Sequence, residues 1–167
     1  MTLMQERPTE VACEDRVAIA RIHAIGNSSD ELVTRVENLG KQWNIGRTSE
    51  KSPFKNVLAV SAAPGASLKV LQNFILYQLG RTGGSRIWQE SKQDLYFAQA
   101  LVKELDALHS LRDKVAEEIR GLTGVTLQQD QKQALHLRLA QLFLGYLSRY
   151  HTAQSYLTKN AQGGGHR

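Results

Sequence analysis

Apolar residues along this chain recur mostly three and four positions apart, the spacing of one face of an α-helix, and strand-like alternation is rare. The one ambiguous stretch is 10–25, where VAIARIHAI also alternates weakly; Gly26-Asn27 ends it. Ser28 then opens a helix, with Glu31 placed three residues on to complete a capping box. Leu32, Val36 and Leu39 make its apolar stripe, and Gly40 is its expected stop. Residues 41–53, KQWNIGRTSEKSP, are polar and aperiodic and read as a loop anchored by Trp43 and Ile45. Phe54, Val57 and Leu58 predict a short helix broken at Ala63-Pro64-Gly65. Ser67 caps the next, which carries Leu68, Leu71, Ile75 and Leu79 and ends at Gly80.

The clearest periodicity begins near Ser91. Leu95, Ala98, Val102, Leu105, Leu108, Val115, Ile119 and Leu122 recur at helical spacing, closed by Gly121 and Gly124. A last helix over 127–157 places Leu135, Leu139, Leu142, Tyr146 and Tyr150 on one side. Leu137, Phe143, Leu144 and Leu147 widen that face beyond a coiled-coil seam, so this helix is expected to be central. The short GLTG connection predicts that the last two long helices pack antiparallel. The expected fold is one all-α domain over 1–167, a helical bundle of about five helices, with flexible tails at 1–8 and 160–167.

Composition narrows the class. With 41% hydrophobic and 22% charged residues the chain can bury an ordinary core, which excludes intrinsic disorder. Cys13 is the only cysteine, so no intramolecular disulfide or thiolate zinc cluster forms; it is expected to be a small buried hydrophobe. No stretch approaches about 20 apolar residues and no secretory leader is visible, so no membrane contact and a cytoplasmic location are expected. The net charge of +5 is unevenly spread. Residues 41–92 hold 8 basic and 2 acidic side chains, and 126–167 hold 5 and 1. Residues 1–40 hold 4 and 7, and 93–125 hold 4 and 6. If the two basic segments share a face, that face is suited to a polyanion. The alternative is that they point apart.

Reactive constellations are missing as patterns. No two of the five histidines stand three or four apart, so no helix offers a metal-binding pair, and solitary histidines are expected to be solvated. The carboxylates at Glu104 and Asp106, and at Asp113, Glu117 and Glu118, have basic neighbours in Lys103, Arg112, Lys114 and Arg120, as on a solvated helix face. Neither an enzyme nor a cofactor is expected. The stretch GRTGGSR, 80–86, fails the P-loop spacing, and its G-x-x-G lacks the strands of a KH domain. It reads first as a helix stop. Just upstream, Lys69, Asn73, Tyr77 and Arg81 are four apart, a row suited to tracking phosphates with a ring available for stacking; Arg86 follows on a turn expected to be mobile. The plainer reading is a boundary stripe with Asn73 and Tyr77 half-buried. In the second basic segment Lys132, Arg138 and Arg149 are the candidates. Arg138 and Arg149 face the same way with small Gly145 between them.

FKNVLAV, then VLQNFILYQLGR, Trp88, a long amphipathic helix and LHLRLAQLFLGYLSRY, together 54–150, resemble the small helical subunits of type III CRISPR effector complexes. The resemblance implies a non-catalytic subunit that supports guide RNA and target strand by backbone contacts. It also implies partner subunits, self-stacking along the complex, and a part in antiviral defence. Residues 1–50 have no counterpart in the smallest members. The competing reading is a helical protein–protein adaptor that binds no nucleic acid; a DNA-binding regulator ranks lower, for want of a helix-turn-helix.

Overall fold

The computed structural model describes residues 8–47 and 51–163. Seven α-helices lie within them: α1 Pro8–Asn27, α2 Ser29–Gln42, α3 Phe54–Ser61, α4 Leu68–Gly80, α5 Phe97–Ala107, α6 His109–Thr123 and α7 Gln129–Gly163. A single 3-10 turn (Arg86–Gln89) and a minimal hairpin, β1 Ser91–Lys92 with β2 Leu95–Tyr96, separate α4 from α5. The all-α bundle with a long C-terminal helix is as the sequence predicts. The tails expected at 1–8 and 160–167 fall mostly outside the described residues; Pro8 and 160–163 are helical.

Buried stripes organise these helices. Leu32, Val36 and Leu39 on α2, Leu71 and Ile75 on α4, and Leu101 and Leu105 on α5 all point inward, as do Trp43 and Ile45. Phe54 stands at the centre, edge-on to Trp88 at 5.7 Å, Phe97 at 6.0 Å and His151 at 5.9 Å. Such pairs add specificity to the area they bury. The central helix α7 packs against α2, α3, α4 and α6. α3 lies antiparallel to it: Ser52 meets Ser148 at 3.3 Å, and the Gln141 side-chain amide donates to the Ser61 carbonyl at 2.6 Å.

Several local expectations are corrected. Gly40 does not stop α2, which runs through it to Gln42; it lies against the Tyr150 ring of α7, where any Cβ would collide. The Ser28 capping box does not form. Its hydroxyl donates instead to the Ala24 carbonyl at 3.0 Å, and α2 follows α1 almost without interruption. The periodic stretch 95–122 begins in β2 and continues as two helices meeting at Leu108, where His109 Nδ1 lies 2.9 Å from the Asp106 carbonyl and Ser110 Oγ donates to the Ala107 carbonyl. These side chains occupy end carbonyls that a continuous helix would bond through its backbone. Gly121 lies inside α6, while Gly124, at φ +75°, supplies its stop. The hairpin turn was invisible in sequence, because Gln93 and Asp94 take up the positive φ values usually left to Asn-Gly.

Polar groups depart from expectation as well. Cys13 is exposed. His136 and His151 are buried in the core-facing side of α7. His136 Nε2 lies 2.8 Å from the Leu105 carbonyl, and burial is the main cause that holds its pKa below the ordinary value, against the raising effect of that hydrogen bond. The folded state therefore prefers the neutral ring, whereas the unfolded chain takes up a proton below about pH 6.5. Stability is expected to fall as pH drops from 7 towards 5. Denaturant titrations of the native chain and of His136→Gln check this: the variant should lose part of that pH slope, and identical slopes would contradict it. Glu104, expected on a solvated face, instead accepts from Arg35 of α2 at 3.2 Å. Glu31 joins Arg35 to Lys114 of α6. Burial would raise its pKa, but the hydrogen bonds and charges of Lys114 and Arg35 lower it overall.

Candidate nucleic-acid interface

Ser67 caps α4 by accepting the Val70 amide proton at 3.2 Å, which fixes the helix register. Leu71, Gln72, Ile75 and Gln78 then turn inward, and Gln72 anchors the inner face by donating to Asp106 Oδ1 at 3.1 Å. Lys69, Asn73 and Tyr77 are left on the outer face, all exposed. Tyr77 is 57% exposed, so the row is not a half-buried boundary. Its ring keeps contact with Phe74 at 6.2 Å. Arg81 leaves the helix in an extended conformation, exposed, and donates to Gln78 Oε1 at a long 3.5 Å.

The loop that follows is a pinned helix stop. Gly83 has φ +71°, Gly84 N–H donates to the Arg81 carbonyl at 3.3 Å, and Gln89 Nε2 donates to the Leu79 carbonyl at the helix end at 2.9 Å. Arg86, expected on a mobile turn, opens the 3-10 turn whose Ile87 and Trp88 are buried. Its side chain is exposed. Arg81 and Arg86 thus flank a turn fixed from below.

On α7 the three candidates separate. Arg149 is exposed and lies 5.7 Å from the Tyr146 ring centroid. A Cβ at Gly145 would meet nothing within 4 Å, so the helix surface between Arg138 and Arg149 is open. Arg138 is exposed but borders α1, lining a shallow groove of about 430 Å³ with Arg21, Ile22 and Ile25. Lys132 is half-buried against α6, in a cleft with Asp113, Glu117 and Arg120. It faces carboxylates and does not share the direction of Arg138 and Arg149.

Three cations left unassigned by the sequence, Lys51, Lys55 and Arg47, lie on chain segments that pack near Arg149. The Ser52–Ser148 contact sets Lys51 next to the residue that meets Arg149's predecessor, and Lys55, four residues after Lys51, is the second residue of α3. Both are exposed. Gly46 packs directly on α7 at Gln154 and Ser155, and the residue that follows it, Arg47, is exposed. Parts of the two basic segments therefore meet along α3 and α7. Their only sequence signal was charge.

The state of the charges matters as much as their place. Among the described residues, Lys51, Lys55, Lys69, Arg81, Arg86 and Arg149 form no ion pair. In the acidic segments Arg35, Arg112, Lys114 and Arg120 are paired with carboxylates, while Arg16, Arg21 and Lys103 form no ion pair among the described residues; in the first basic segment Lys41 pairs with Glu37. Among the described residues no group of three His, Cys, Asp or Glu could hold a metal ion, and no helix is long and apolar enough to cross a membrane. No family model matches the chain, and neither a curated protein nor a solved structure is detectably similar to it.

Proposed function

We propose that this protein is a non-catalytic helical subunit of a cytoplasmic ribonucleoprotein complex, of the kind that type III CRISPR effectors contain. In this reading it supports guide RNA and the target strand by their backbones. The observation that carries the reading is the division of charge: Arg35, Arg112, Lys114 and Arg120 of the acidic segments are held by carboxylates, whereas Lys51, Lys55, Lys69, Arg81, Arg86 and Arg149 are exposed and, among the described residues, form no ion pair. Unpaired cations retain their full attraction for phosphates, and each phosphate neutralised releases counterions. Tyr77 adds an exposed ring within the α4 row, on which a base can stack.

Two double variants test it by fluorescence anisotropy with labelled single-stranded RNA across a salt series. Arg81→Ala with Arg86→Ala, and Lys51→Ala with Arg149→Ala, should each weaken binding to a similar degree whatever the RNA sequence. Each should flatten the logarithmic salt slope by up to about 0.7 per lost contact. Thermal stability should change by less than about 0.5 kcal/mol, since all four side chains are exposed. If both variants bind as tightly as the native chain at every salt concentration, the adaptor reading leads. That second reading has an observation of its own, the exposed isoleucines of α1.

A further inference from the structure

The first helix carries large apolar side chains on its outer face as well as its inner one, where Val17 and Ile25 pack on the core. α1 turns Ala20 and Ala24 inward, 6% and 0% exposed, and leaves Ile19 and Ile22 outward at 67% and 74%. A surface helix ordinarily keeps its large apolar side chains against the core, so the outward pair is unusual. Leu122 of α6, 52% exposed, borders Ile19 across a groove of about 300 Å³ that also holds Arg16 and His23. The groove of about 430 Å³ on the other side of Ile22 is edged by Arg21 and Arg138. An apolar ridge thus runs between two shallow channels. At Gly26, one turn beyond Ile22, a Cβ would meet nothing within 4 Å, so a partner backbone can come close there.

We propose that this face docks an amphipathic helix of a partner protein whose apolar stripe is flanked by carboxylates. The charge pattern selects that chemistry. Neither groove is lined by an Asp or Glu, and both are edged by arginine. Of the carboxylates nearby, Glu118 is held by Asn27 at 2.7 Å and by His23 at 3.5 Å, Glu14 lies on the α7 flank of the helix, and Asp15 precedes Ile19 by one turn. The occupant therefore presents its carboxylates along the grooves and leaves the Asp15 end neutral or basic. A nucleic acid would meet the arginines but waste the isoleucines, which offer phosphates nothing. A second copy would bring a face that is itself edged by Arg16 and Arg21, with no Asp or Glu lining its grooves.

Two synthetic helical peptides with the same leucine stripe test this, one flanked by glutamates and the other by lysines. Each is titrated into the isotope-labelled full chain and followed by amide chemical shifts. The glutamate peptide should move the signals of Ile19, Ile22 and Leu122 saturably, and the lysine peptide should not. Ile19→Asp with Ile22→Asp should weaken the glutamate peptide at least about tenfold, a loss of about 1.4 kcal/mol, with an unchanged melting temperature. Arg81→Ala with Arg86→Ala should bind it as the native chain does, which keeps this outcome separate from that for RNA. The proposal is overturned by equal binding of both peptides, by binding of neither, or by shifts elsewhere on the surface. It is equally overturned if α1 signals move with protein concentration alone or with single-stranded RNA.

Discussion

Leu105→Asp is expected to cost about 4 kcal/mol or more and to leave little folded protein at ambient temperature, while Leu142→Asp costs much less. Leu105 is completely buried on α5, and its carbonyl faces His136, so an aspartate there has neither water nor a cationic partner. Leu142 was expected to share the core stripe of α7 but is only half-buried, and its carboxylate could turn towards solvent. Urea denaturation of the two variants checks the order. Equal losses would mean that the full burial of Leu105 and the half-burial of Leu142 are wrongly described.

The second large effect concerns a turn. Gly46→Ala is expected to destabilise by about 3 kcal/mol, combining about 1–2 kcal/mol for a side chain at positive φ with further overpacking. Gly46 has φ +89°, and a Cβ there would meet Gln154 Cβ at 2.5 Å and the Ser155 backbone nitrogen at 2.9 Å. Backbone cannot give way as a side-chain end can. Gly65 provides the control: its φ is +75°, but a Cβ would meet nothing within 4 Å. Gly65→Ala should therefore show the backbone cost alone, about 1–2 kcal/mol. The difference between the two midpoints measures how tightly the 43–47 turn is clamped on α7.

The same features mark where the sequence was legible. Helices with a narrow apolar stripe, such as Leu71 and Ile75 on α4 or Leu32, Val36 and Leu39 on α2, were readable because burial follows the 3.6-residue period directly. The buried side of α7 was misplaced by part of a turn. His136, Ala140, Phe143, Leu147 and His151 lie at core spacing, but two polar residues interrupt the apolar count. Reading those histidines in register with Phe143 was the signal available. The break at Leu108 carries no Gly or Pro, and only the following His-Ser pair, which takes up end carbonyls, hints at it. Gly40 was misread because a helix stop and a close helix approach both call for a residue without a Cβ.

The candidate site divides similarly. The α4 row was visible, because four-residue spacing fixes a common face whatever the helix packs against. The meeting of Ser52 with Ser148, the neighbours of Lys51 and Arg149, was not, since it depends on α3 lying antiparallel along α7 across nearly a hundred residues of chain. Lys132 failed for the opposite reason: its segment is basic, yet α6 brings Glu117 beside it.

Binding of single-stranded RNA to the native chain, measured for two unrelated sequences across a salt series, tests the central claim most directly. Backbone recognition through unpaired cations predicts equal affinities for the two sequences, falling steeply and in parallel as salt rises. Affinity that ignores salt, a strong preference for one sequence, or no binding at low salt would contradict it.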